Sequence, residues 1–185
     1  FNIDINGKCK IESYINNLPE SNTELYKMIE KLFEKVLPHF EKIWSYIKTN
    51  KLYNDEDINL FNSVKKYCNN DKIINVSLKN RILQIIPKIV TYELKNDELE
   101  GAWHVEGMSH ENIVATAVTV IEQTNNFDAK LYFKRKFTEC EGAHIHFLTG
   151  QDRPKFLNKY FESGLIPLGK ISTKKCSLTV FPNSH

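Results

Sequence analysis

His104 and Glu106 stand two residues apart in the stretch Trp103-His104-Val105-Glu106-Gly107-Met108. On a strand, residues i and i+2 point to one face, so an imidazole and a carboxylate would stand side by side, each with an electron pair to donate. That pair is two thirds of the 2-His-1-carboxylate triad that holds non-haem Fe(II). The triad needs one further His from elsewhere in the chain. A His-x-Glu triplet is short, and its plain alternative is a polar strand face. The context sharpens it. Gly101 precedes the pair and Gly107 follows it, and glycine in a strand pattern marks a bulge or a close approach. Trp103 and Val105 alternate with the pair, which predicts a strand over Ala102–Glu106 with an apolar face turned to the core.

Other candidates are weaker. His144 and His146 form a second i, i+2 pair, with polar surface as the alternative. His110 would orient a ligand from behind, with Trp103 beside it; a solvated turn and core packing are the plain alternatives. Arg135, between Lys134 and Lys136, would grip an anionic cosubstrate through a bidentate pair, or belongs to a solvated strand face. Arg153 beside Pro154 is equally ambiguous. The sequence contains no Ser-His-Asp ordering, nucleophile elbow or phosphate loop.

The elements that must position these residues follow from periodicity. Leu25, Met28, Ile29, Leu32, Phe33, Val36, Leu37 and Phe40 recur at spacings of three and four, one stripe of an amphipathic helix. Thr23 is placed to cap it. Pro38 is expected to kink or interrupt it, leaving a second piece with Ile43, Trp44 and Ile47. A short helix is expected within 51–70. Strands are expected within 8–15, within Asn80–Leu94 (broken by Pro87, and at least from Lys88 on), from Asn112 to Glu122, from Ala129 to Phe137, at Leu168–Ile171 and at Cys176–Phe181. Short strands joined by polar turns suggest a β-sandwich or barrel.

Composition bounds the rest. The chain has 185 residues, 41% apolar and 26% charged, with a net charge of +2. That is an ordinary globular composition, with no general affinity for nucleic acid or membranes. Four dispersed cysteines with no CxxC pair read as reduced thiols of an intracellular, cytoplasmic protein. There is no signal peptide and no apolar run long enough to span a membrane. A start at Phe1 and a stop at His185 directly after a strand-like run suggest a fragment of a longer protein.

Several blocks resemble domain-of-unknown-function family 4246. Ser13–Leu18 matches its Ser-Tyr-Ile-Asn-Asn-Leu block, and Leu25–Pro38 its helix block ending in Leu-Pro. Gly101–Met108 matches Gly-x-Trp-His-Val-Glu-Gly-Met, Ile113–Ala117 matches Ile-Val-Ala-Thr-Ala, and Phe181–Asn183 matches Phe-Pro-Asn. The blocks run in order over nearly the whole chain. The family's pattern looks like that of Fe(II)- and 2-oxoglutarate-dependent dioxygenases.

The resemblance implies an α+β protein, with N-terminal helices packed on a double-stranded β-helix (jelly-roll-like) core truncated at its C-terminus. Residues 1–87 would be mainly helical and residues 88–185 would form the β core, as one structural unit. His104 and Glu106 would be the first two metal ligands. The third would be a His that follows Phe-Pro-Asn in the family, two positions beyond His185; His185 itself would serve only if the block is shortened here. Fe(II) and 2-oxoglutarate are the implied cofactors, and the substrate is unspecified. The basic residue for the oxoacid would also lie beyond the end. Two alternatives stay open: a cupin-like metal enzyme that does not use 2-oxoglutarate, and a non-catalytic binding module on a degenerate oxygenase fold.

Overall fold

The computed structural model describes residues 1–50, 73–94, 98–124, 128–136 and 163–183. It divides into two compact units. One comprises Phe1–Lys42 and Asn75–Val105, the other Ile43–Ile74 and Glu106–His185. Helix α1 (Thr23–Asn50) contributes to both.

In the first unit, β1 (Asn2–Ile3), β2 (Cys9–Lys10) and β3 (Arg81–Ile82) form an antiparallel sheet of order β2-β1-β3. Asp4 makes the β1–β2 turn. Its carboxylate accepts the amides of Asn6 (2.8 Å) and Lys8 (2.7 Å), while its carbonyl accepts that of Gly7, whose φ is +85°. This is the Asx chemistry that makes Asp and Gly good turn residues. Phe1, Ile3 and Cys9 pack with Phe33 and Leu37 of α1 as a buried cluster. The Phe33 ring lies 5.7 Å from Phe1 and 5.9 Å from Phe40, so aromatic packing fastens the helix stripe to the sheet.

β2 is an edge strand whose outward amides need partners. The helix supplies them as carboxylates. Glu34 accepts from the Cys9 amide at 3.1 Å and from Lys8 Nζ at 3.0 Å, and Glu30 accepts from the Ile11 amide at 2.8 Å. Glu41 does the same for Leu78 at 2.8 Å. Residues four apart lie on one helix face, so Glu34 reaches β2 at Cys9 and Glu30 reaches Ile11 just beyond its end. Tyr26 pins the preceding turn: its hydroxyl accepts from the Ile15 amide and donates to the Leu18 carbonyl.

Two expectations need correction here. Pro38 neither interrupts nor ends α1, which runs through it for 28 residues. Pro38 is exposed, and the buried residues on either side, Val36 and Leu37 before it and Ile47 after it, hold the helix together. Met28 (65% exposed) and Leu32 (38%) lie off the buried stripe. The strand expected over Lys88–Leu94 does not form; Ile89, Val90 and Tyr92 are exposed, and the strand in this stretch is β3, upstream of Pro87.

In the second unit, β4 (Ala115–Thr119) pairs antiparallel with β7 (Leu178–Pro182), from Ala115↔Pro182 to Thr119↔Leu178. β5 (Ala129–Lys136) pairs antiparallel with β6 (Leu165–Thr173), with an irregularity at Phe133/Lys134 that leaves Leu168 outside the register. A bulge of this kind bends the strand and increases its twist. The rings of Phe133 and Phe181 meet edge to face at 5.0 Å and join the two ribbons. The β6–β7 turn is tied to the end of β4 by Cys176 N–H donating to the Val120 carbonyl (2.7 Å) and by the Lys175–Glu122 ion pair. These four strands overlap those expected from alternation. The helix expected within 51–70 lies outside the described residues. Among the described residues no helix is long and apolar enough to cross a membrane.

Burial raises the Cys9 thiol to about 11, with Glu30 adding to the shift. Cys176 is exposed. At pH 8 a maleimide should therefore label Cys176 and leave Cys9 unmodified until the protein unfolds; equal labelling of both would contradict this packing. The Cys9 amide, followed by Lys8, holds the Glu34 carboxyl below the usual carboxylate range. A lowered folded pKa gives stability that is present above the unfolded value and lost as pH falls through the folded one. Glu34→Gln should cost about 1 kcal/mol at pH 7, a charged hydrogen bond discounted for partial exposure. The difference in Tm from wild type should shrink below about pH 4. A gap that is constant with pH would mean that the charge of Glu34 contributes nothing.

Candidate functional site

The stretch from Glu98 to Met108 contains no strand, which corrects the strand expected over Ala102–Glu106. Trp103 is 49% exposed and Val105 59%, so neither is the core residue that alternation implied. The physical reason lies in the backbone. Gly101 and Gly107 weaken strand formation, and the main chain of Glu106 pairs with a side chain instead of a strand. His104 is the penultimate residue of the first unit, and Glu106 opens the second.

His104 is exposed, and its Nδ1 lies 2.8 Å from the Ala102 carbonyl oxygen. A carbonyl only accepts, so Nδ1 is the donor in this contact, which favours the tautomer that has Nε2 as the ligating nitrogen. Metal-bound histidines are commonly oriented in this way.

Glu106 is partly buried. Its amide donates to Asn183 Oδ1 at 2.8 Å, and its carbonyl accepts from Asn183 Nδ2 at 2.8 Å. The second Nδ2 hydrogen reaches the Ile113 carbonyl (3.0 Å), and the Asn183 backbone amide donates to Val114 (3.1 Å). One residue at the end of β7 thus closes the loop between Glu106 and β4 at both ends. The loop is also braced from within. The Glu111 carboxylate accepts the Met108 amide at 2.6 Å, and the Glu111 amide donates to the Met108 carbonyl at 3.0 Å. Gly107 is required here: its φ is +74°, and an added Cβ would lie 2.7 Å from both Glu111 Oε2 and Ile113 Cγ1. Asn112 ends the short 3-10 turn (Ser109–Glu111) in the left-handed region, with φ +50°.

His110 is exposed within that turn, in keeping with the solvated-turn reading. Arg135 is partly buried on β5 and donates from Nη1 to the Lys136 carbonyl at 3.0 Å. By alternation it shares the face of β5 that carries Phe133. On the ribbon that Phe133 meets, Thr116 is paired with Phe181 and shares its face. The Thr116 hydroxyl is enclosed and has no hydrogen-bond partner among the described residues. His185, His144, His146 and Arg153 lie outside the described residues. Among the described residues no three His, Cys, Asp or Glu side chains form a metal-holding group.

Asn183, Glu111 and Thr116 were not singled out from sequence for any role. A polar amide directly after an apolar strand and a Pro was the available signal for Asn183, because such a residue can substitute for a missing ladder partner.

No curated protein and no solved structure matches the chain. One family pattern does, over residues 1–72 and 50–185. The chain belongs to the family described as protein of unknown function DUF4246.

Proposed function

We propose that this chain is the metal-bearing part of a non-haem Fe(II)- and 2-oxoglutarate-dependent oxygenase. The observation that carries the proposal is the pairing of Asn183 with the backbone of Glu106. The proposal needs a His soon after the Phe-Pro-Asn block to meet the carboxylate of the His-x-Glu block. Asn183 joins those two blocks by direct hydrogen bonds.

The donor set suits the ion. An imidazole nitrogen and a carboxylate oxygen are the ligand types of Fe(II) sites that keep open positions. In this reading His104 donates through Nε2, with Nδ1 held by Ala102, and Glu106 donates through its carboxylate. A His following Asn183 supplies the third bond. When bound, the iron and the oxoacid would supply oxidation of a substrate by O2, chemistry that the side chains alone do not perform. The role of the protein is to fix the ligands and leave coordination positions open. Arg135 and the enclosed hydroxyl of Thr116 are the groups we assign to the distal carboxylate of the oxoacid, a cation and a donor on facing ribbons.

The full natural chain should bind one Mn(II), a redox-silent stand-in for Fe(II), by calorimetry. His104→Ala and Glu106→Ala should each abolish binding. Unchanged affinity in both variants would remove the metal centre. If the third ligand lies beyond His185, the 185-residue chain alone should bind roughly tenfold more weakly or worse, for want of that ligand and the geometry it enforces. Equal affinity would mean that the third ligand already lies within it. Arg135→Ala should weaken 2-oxoglutarate binding and leave Mn(II) affinity unchanged; loss of both would contradict the role assigned to Arg135.

A further inference from the structure

We infer that Asn183 is a positioning residue, which holds the main chain of Glu106 and the segment leaving β7 as one piece. The metal consequence of this inference rests on the oxygenase reading; the clamp itself does not.

An asparagine amide has two N–H donors and a carbonyl acceptor. Here Oδ1 takes the Glu106 amide, one Nδ2 hydrogen goes to the Glu106 carbonyl, and the other goes to Ile113. The double exchange with Glu106 reproduces the hydrogen-bonded pair of an antiparallel ladder, with the side chain in place of a second strand. The backbone amide of Asn183 extends the β4–β7 pairing by one further bond, to Val114. The two partners of the side chain are the first residue of the loop and the residue just before Val114. Removing the amide would take these two hydrogen bonds from Glu106 while leaving β4 and β7 paired over five residues.

No similar side chain does the same work. Aspartate keeps the acceptor, but its carboxylate has no donor and would face the carbonyls of Glu106 and Ile113. Glutamine adds a methylene and moves the amide past both. Alanine leaves the Glu106 amide and carbonyl without their partners. A ligand must be held to within about 0.5 Å of its working position. Two hydrogen bonds from this amide restrain the backbone of Glu106 from across the chain.

The test uses the full natural chain with Asn183→Ala, Asn183→Asp and a control, Leu178→Ala, at the opposite end of β7. Amide hydrogen exchange at Glu106 is read by NMR against Ala117 in the middle of β4, and Mn(II) affinity by calorimetry. Both Asn183 variants should raise exchange at Glu106 by about tenfold or more relative to Ala117. They should also weaken Mn(II) binding roughly 10- to 100-fold, as loss of a ligand-orienting partner does elsewhere. Leu178→Ala should lower Tm without selective exchange at Glu106 and with Mn(II) affinity kept within about twofold of wild type. Unchanged Glu106 exchange in Asn183→Ala overturns the inference. So does an equal loss of Mn(II) affinity in Leu178→Ala, which would mark the effect as general destabilisation. If the wild-type chain takes up no Mn(II), the metal reading fails by itself, and exchange at Glu106 alone decides for or against the clamp.

Discussion

The candidate site depends on one side-chain amide. Asn183 gives Glu106 the two hydrogen bonds that a neighbouring strand would give and thereby defines the loop that ends at β4. The other features of the loop follow from that closure. The chain must turn at once after Glu106, so Gly107 adopts a positive φ in a space too small for a Cβ. The loop then needs internal partners, which Glu111 supplies to Met108. It must re-enter an extended strand at Ile113, and Asn112 makes that change in the left-handed region, where Asn is tolerated better than most residues.

The first unit meets a different constraint with similar means. A two-residue edge strand, β2, has too little ladder to hold itself. Carboxylates one helical turn apart on α1 take up its outward amides, and the aromatic cluster of Phe1, Phe33 and Phe40 closes the layer beneath. Cys9 is enclosed there, its thiol raised to about 11 and therefore protonated at neutral pH. Protonated and buried, it is a packing residue and a poor nucleophile or metal ligand. In both units charged or amide side chains complete backbone pairing that the strands are too short to complete themselves.

This pattern explains what could be read from the sequence. The helix was legible because eight apolar residues repeat at helical spacing, β4 and β5 because their stretches alternate in sequence, and β6 and β7 as short strand-like runs between turn residues. β1 and β3 were not. Each is two residues long, and their pairing joins residue 2 to residue 82, a contact that no local period can encode. Pro38 does not interrupt the helix, and it lies where the side chain is exposed, a placement that spacing alone did not reveal. The stretch around His104 was read as a strand because Trp103 and Val105 alternate with the polar pair. The glycines on either side were the better guide, and the hydrogen bonds that replaced the ladder come from Asn183, far along the chain. The residue types of the candidate site were visible in sequence; its bracing was not.

The central claim is that an imidazole, a carboxylate two residues later and a histidine delivered after Asn183 hold one Fe(II). The most direct measurement is X-ray absorption at the iron edge, on the full natural chain loaded anaerobically with Fe(II), with and without 2-oxoglutarate. The account predicts scattering from two imidazole rings with oxygen making up the remaining ligands, no sulfur, and a change in the oxygen shell when the oxoacid is added. Sulfur ligation, or a spectrum without imidazole scattering that matches that of His104→Ala, would contradict it.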